Sequence, residues 1–142
     1  MNRRNLFAGT IAALLASLPA LGGTLAITNA WSRSTPPGVK VGVAYFTLKN
    51  DTGKSDRLLK ISSPVAEKVR VHRTEILDGI ARMREVAVLH VDAEQTVEFA
   101  PNGMHLMLMG LKKPLVEGQT FDLELQFEVA GARKVTVSVR KD

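Results

Sequence analysis

Between residues 27 and 140, apolar residues come in short runs, and each run ends at turn chemistry. Ile27 to Trp31 is broken by Thr35-Pro36-Pro37-Gly38. Val41 to Lys49 alternates around Val43, Tyr45 and Thr47, and Asn50-Asp51-Thr52-Gly53 turns the chain. Arg57 to Ser62 stops before Pro64. Glu67 to Ile76 and Ala81 to Leu89 form a pair around Asp78-Gly79, and Gln95 to Ala100 closes at Pro101-Asn102-Gly103. A methionine-rich run, Gly103 to Gly110, follows. A loop with Lys112-Lys113-Pro114 and Glu117-Gly118 leads to Phe121 to Val129, and Ala130-Gly131 turns the chain into Lys134 to Arg140. Helical periodicity is nowhere sustained over three turns. The pattern predicts eight or nine short strands in an all-β sandwich or barrel, with no internal repeat or linker.

Asp-Gly between two alternating runs is a strong signal for a two-residue hairpin, and such a turn sets the register. Leu77 then lies opposite Ile80, Thr74 opposite Met83, His72 opposite Glu85, Val71 opposite Val86 and Val69 opposite Val88. Valine against valine marks the core face. The other face carries Arg70, His72, Thr74, Met83, Glu85 and Ala87. His72 and Met83 are diagonal neighbours there, about 7 Å apart at the backbone and within side-chain reach. Met83 is thus an apolar residue on the polar side of its hairpin.

In the run Gly103 to Gly110, strand alternation puts His105, Met107 and Met109 on one face and Met104, Leu106 and Leu108 on the other. An imidazole and a thioether two residues apart on one face outline a soft metal site suited to Cu(I). An apolar strand with methionine as gap filler is the plainer reading of this run by itself. Met104 is expected in the core with Leu106 and Leu108. His90 has no methionine partner at strand spacing and reads as a surface histidine.

Composition narrows the chemistry further. The chain has 142 residues and no cysteine, which removes disulfides, thiolate metal sites, iron–sulfur clusters, a cysteine nucleophile and the type 1 copper site of electron-transfer cupredoxins. Arg3-Arg4 followed by an apolar stretch from Leu6 to about Ala20 and small residues reads as a secretory signal peptide over residues 1–26, with a twin-arginine signal as one form of it. Residues 27–142 then form the mature domain. Loss of Arg3 and Arg4 takes the formal charge from +5 to +3. The remaining cations are dispersed among Asp and Glu, which does not favour nucleic acid. No Gly-x-Ser-x-Gly elbow or carboxylate pair points to an enzyme.

His72, ten residues, Met83, twenty-one residues, His105, one residue, Met107: this spacing resembles the motif of the periplasmic copper chaperone family PCuAC. Ala30-Trp31-Ser32-Arg33 with Thr35-Pro36-Pro37-Gly38, then Tyr45 with Asn50, resembles the family's opening. Met83-Arg84-Glu85-Val86 resembles the block around its first methionine. His105-Leu106-Met107-Leu108 through Gly110-Leu111-Lys112-Lys113-Pro114-Leu115 and Gly118 resembles its most recognisable stretch. The likeness runs from about residue 27 to 140.

The resemblance implies a cupredoxin-like Greek-key β-barrel that binds copper, preferably Cu(I), near its surface through His72, Met83, His105 and Met107. It also implies delivery of that copper to periplasmic recipients, notably the copper centres of respiratory cytochrome oxidase or another periplasmic copper chaperone. A monomer in the periplasm, with no stable membrane insertion after signal removal, is expected. Many members of the family carry a further methionine two residues after the first histidine. Thr74 stands there instead, which leaves Met109 or Met104 as sources of a fifth thioether. The alternative is a copper-independent β-sandwich binding or assembly module.

Overall fold

The computed structural model describes residues 23–141. These residues form ten strands and no helix: β1 Leu25–Arg33, β2 Val41–Asn50, β3 Asp56–Ser62, β4 Ala66–Leu77, β5 Ile80–Glu85, β6 Leu89–Val91, β7 Thr96–Glu98, β8 Met104–Leu111, β9 Thr120–Phe127 and β10 Gly131–Arg140. The strands join in the order β5-β4-β8-β2-β1-β10-β9-β3-β6, with β7 pairing β2 off this path. β1 and β10 pair in parallel, and the other strand pairs are antiparallel. Neighbours such as β4–β8, β8–β2 and β9–β3 are far apart in sequence, so crossovers of the Greek-key kind link them. The all-β fold is as expected, with ten strands rather than eight or nine.

Alternation explains which side of each strand is buried. In β2, Ala44, Phe46 and Leu48 are buried while Val41 is exposed. In β9, Phe121, Leu123, Leu125 and Phe127 are buried in the same way. Tyr45 is buried on the other side of β2 against Trp31, with ring centroids 4.7 Å apart. Buried Asn50 ends β2 and secures the expected turn. Its amide donates to the Lys54 and Val91 carbonyls, and its oxygen accepts from the Thr52 backbone N–H and hydroxyl.

Three expectations need correction. The run from Ala81 to Leu89 is two strands, because the chain leaves β4 after Glu85. Val86 still donates its N–H to the Val71 carbonyl at 2.8 Å, but Val88 is exposed and does not face Val69. Val69 lies opposite Leu108 of β8 instead. Leu89 and Val91 are buried against β3, opposite Leu58 and Asp56, and burying two apolar side chains outweighs extending an exposed hairpin. β1 begins at Leu25 rather than Ile27, and Leu25 is buried opposite Asn50. The expected strand Gln95–Ala100 shortens to Thr96–Glu98. Nearly all of the expected signal peptide lies outside the described residues.

Candidate metal centre

The hairpin register is as the Asp-Gly turn predicts. His72 faces Glu85, Thr74 faces Met83 and Leu77 faces Ile80. Asp78 and Gly79 both have positive φ, 52° and 76°, the requirement of a tight two-residue turn. β8 lies on the other side of β4, and its register puts His72 directly opposite His105. Met107 lies opposite Arg70, one step diagonal from His72 on that side. Met83 is diagonal to His72 on the other side, through Thr74. Three adjacent strands therefore bring His72, Met83, His105 and Met107 onto one face.

The two imidazoles meet edge to face, with ring centroids 5.8 Å apart and planes at 67°. His105 is buried at 5% exposure, His72 and Met107 are half-buried, and Met83 is 61% exposed. The set is thus graded from a buried histidine to an exposed thioether. His105 Nδ1 lies 3.2 Å from the Gly103 carbonyl, which makes Nδ1–H the donor and leaves Nε2 with a lone pair. That Nε2 is buried and has no hydrogen-bond partner, and neither does His72 Nδ1. Two buried ring nitrogens without partners on adjoining rings are unusual, because an unmet buried polar atom is costly. Both are suited to accept a cation.

Local electrostatics favour the neutral form of His72. Burial lowers its pKa, and the neighbouring His105 lowers it further, while Glu85 acts in the opposite direction. Glu85 is itself paired with Arg70 at 3.2 Å, so its charge is partly spent. Among the described residues there is no group of three or more His, Cys, Asp or Glu that could hold a metal. A metal centre here needs the thioethers. Such a set is soft and uncharged, the kind that selects Cu(I).

Met104 is buried on the opposite side of β8, with its sulfur 3.9 Å from an Arg73 guanidinium nitrogen, as its expected core position requires. Met109 lies opposite Lys68 and Val41, about 13 Å along the strand from His105 at 3.3 Å per residue. His90 is exposed in β6 opposite Arg57. The Gly103 carbonyl is the participant that side-chain patterns do not reveal. It accepts from Thr74 N–H at 3.1 Å and from His105, and its only sequence sign is the Asn102-Gly103 turn, where Asn102 has a φ of 65°.

Residues 25–139 match the family described as "Putative lipoprotein LpqE-like". The chain belongs to the LpqE-like family. The protein named "Putative lipoprotein Lxx21020" from Leifsonia xyli subsp. xyli is 30% identical over 115 residues, covering 80% of this chain and 68% of that protein. An uncharacterized protein of Rickettsia prowazekii is 30% identical over 116 residues, covering 79% of this chain and 64% of that one. Among solved structures, the Cu(I) form of DR1885 from Deinococcus radiodurans superposes with a TM-score of 0.70 at 29% identity, covering 87% of this chain and 83% of that one. The copper-bound PCuAC domain from PmoF2 superposes with a TM-score of 0.71 at 22% identity, covering 85% and 96%. The last shows a shared fold. Among the described residues no helix is long and apolar enough to cross a membrane.

Proposed function

We propose that this LpqE-like protein is a periplasmic copper carrier that holds one Cu(I) between His72, Met83, His105 and Met107. The observation that supports it is the convergence of His72 and His105, each with a buried ring nitrogen that has no partner, flanked on the same face by two methionines. The structural likeness to a Cu(I) form and to a copper-bound domain agrees with it, as does the lipoprotein description of the family with export.

The chemistry suits a carrier rather than a catalyst. Thioethers and neutral imidazoles bring no charge, so the bound complex keeps the charge of Cu(I) alone, and this favours Cu(I) over Zn(II) and Cu(II). Thioethers need no deprotonation and do not form disulfides in an oxidising compartment. Copper would leave by ligand exchange, with exposed Met83 yielding first and buried His105 last. Recipients are copper sites of respiratory cytochrome oxidase or other periplasmic copper proteins.

The test is a competitive titration of Cu(I) against a chromogenic chelator, with the mature protein and with Met83→Ala and His105→Ala. One tight equivalent, weakened at least tenfold by each substitution, is expected. Failure of the unmodified protein to compete would refute the reading.

A further inference from the structure

The outer edge of β5 carries information that the metal site does not use. β5 ends the strand order, with β4 on one side and, among the described residues, no strand on the other. All six of its residues are exposed. The Val86 N–H bond to the Val71 carbonyl, with the register of the hairpin, makes 71/86, 73/84, 75/82 and 77/80 the hydrogen-bonded pairs. Alternation then turns the N–H and C=O groups of Ala81, Met83 and Glu85 outward, away from β4. These open groups lie in the same strand as the exposed thioether of Met83. An open edge is a template for another strand unless it is guarded.

Here the guard is selective. Arg82 and Arg84 project from the face opposite the metal site, beside Arg73, which lies across from Arg84. Glu75 is the carboxylate among them, and it pairs with Arg84 at 3.0 Å. Among the described residues Arg82 has no ion-pair partner. A second β5 laid antiparallel about Met83 would set Arg82 against Arg84, which disfavours pairing between copies. A strand with carboxylates at alternate positions meets the opposite situation. Its acids would fall beside Arg82 and Arg84, and the residue between them would fall beside Met83 on the metal face.

We propose that the open edge of β5 is a docking rail to which an extended, carboxylate-bearing segment of a partner protein adds as a further strand. A methionine or histidine in that segment would stand next to Met83, where it could take over as a ligand. This consequence for handover rests on the Cu(I) reading. The docking itself does not.

The probe is a synthetic capped peptide, Thr-Glu-Met-Glu-Val-Glu-Thr, added to the copper-free, isotope-labelled protein, with a control carrying lysine for each glutamate. Binding is followed by NMR and by amide exchange. The glutamate peptide should slow exchange at the outward amides of Ala81, Met83 and Glu85 at least tenfold at saturation, and the lysine peptide should not. Arg82→Glu/Arg84→Glu should weaken binding at least tenfold. Ala81→Pro, which removes one outward N–H and leaves the β4 ladder whole, should also weaken it. No binding up to millimolar peptide, equal binding of the lysine peptide, or changes confined to other strands would overturn the rail. The chelator titration of the Arg82→Glu/Arg84→Glu variant separates the two readings. Unchanged Cu(I) affinity with lost peptide binding supports a rail distinct from the site. An unmodified protein that binds peptide but not Cu(I) would retain the rail and remove the carrier.

Discussion

At the scale of the residue, His105 shows most clearly a side chain placed for something other than stability. It is buried, one ring nitrogen is held by the Gly103 carbonyl, and the other has no partner. Leucine in its place removes the unmet Nε2, and the Gly103 carbonyl keeps its bond from the Thr74 N–H, so no buried group loses its last partner and the exchange is nearly neutral. His105→Leu in the copper-free protein is therefore expected to leave the unfolding free energy within about 1 kcal/mol of the unmodified protein, while Cu(I) binding collapses. Denaturant unfolding and the chelator titration check the two halves. A loss of several kcal/mol would mean that His105 is a structural histidine. His72 makes a second prediction, with a sign. Burial and the nearby His105 lower its pKa, so the folded state takes up its proton less readily than the unfolded chain. The associated stability is complete above the ordinary value of about 6.5 and is lost as pH falls through the lowered folded value. An NMR titration of the copper-free protein should place the His72 midpoint below the ordinary histidine value of about 6.5. For the same reason ligation by His72 should survive mild acid and be lost as His72 takes up its proton.

At the scale of the element, Asp56 links the first residue of β3 to the turn between β9 and β10. Its buried carboxylate accepts the N–H groups of Val129 and Ala130 at 2.9 Å each and of Arg57 at 2.7 Å. Burial alone would raise its pKa, but these three donors outweigh that effect, helped by Arg133, and hold it below the usual range. Its stabilisation is thus present above about pH 3.9 and lost as pH falls through the folded value. Asp56→Ala leaves three donors without their acceptor and should cost about 2–4 kcal/mol at neutral pH. The gap from the unmodified protein should narrow in acid unfolding series, and a constant gap would assign the loss to packing. The contrast with the β4–β5 hairpin shows what a local pattern encodes. Asp78-Gly79 sets that register by itself, so Thr74 facing Met83 and His72 facing Glu85 are legible in the chain. The end of the hairpin is not, because Leu89 and Val91 are drawn to β3 by core burial that no neighbouring residue announces. Asp56 is equally illegible, since its partners Val129 and Ala130 are backbone groups far along the chain.

At the scale of the whole molecule, the same distinction separates the two halves of the candidate site. Alternation shows that His105 and Met107 share a face, and the hairpin shows that His72 and Met83 do. That the two faces are one face depends on β8 lying beside β4, a crossover that only the complete strand order supplies. The resemblance bridges that gap by implying the ligand set, but the physical reason is topological. That order also places the candidate metal face at one end of the sheet path, on β5, β4 and β8, with β3 and β6 at the other end. Of the three strands, β5 is the least secured, being wholly exposed and paired on one side. A ligand that binds only the folded protein stabilises it by about 2.7 kcal/mol when its free concentration is one hundred times Kd. Local openings that break the site should be suppressed most, because they release copper without unfolding the core. Cu(I) is therefore expected to slow amide exchange most strongly across β5 and at Thr74 to Leu77, where openings free Met83, and least at those amides of β3 and β6 that exchange by local opening. Exchange measured with and without Cu(I) decides this. Protection confined to β8 and the body of β4 would show that Met83 does not hold the metal, and the carrier would then rest on His72, His105 and Met107 alone.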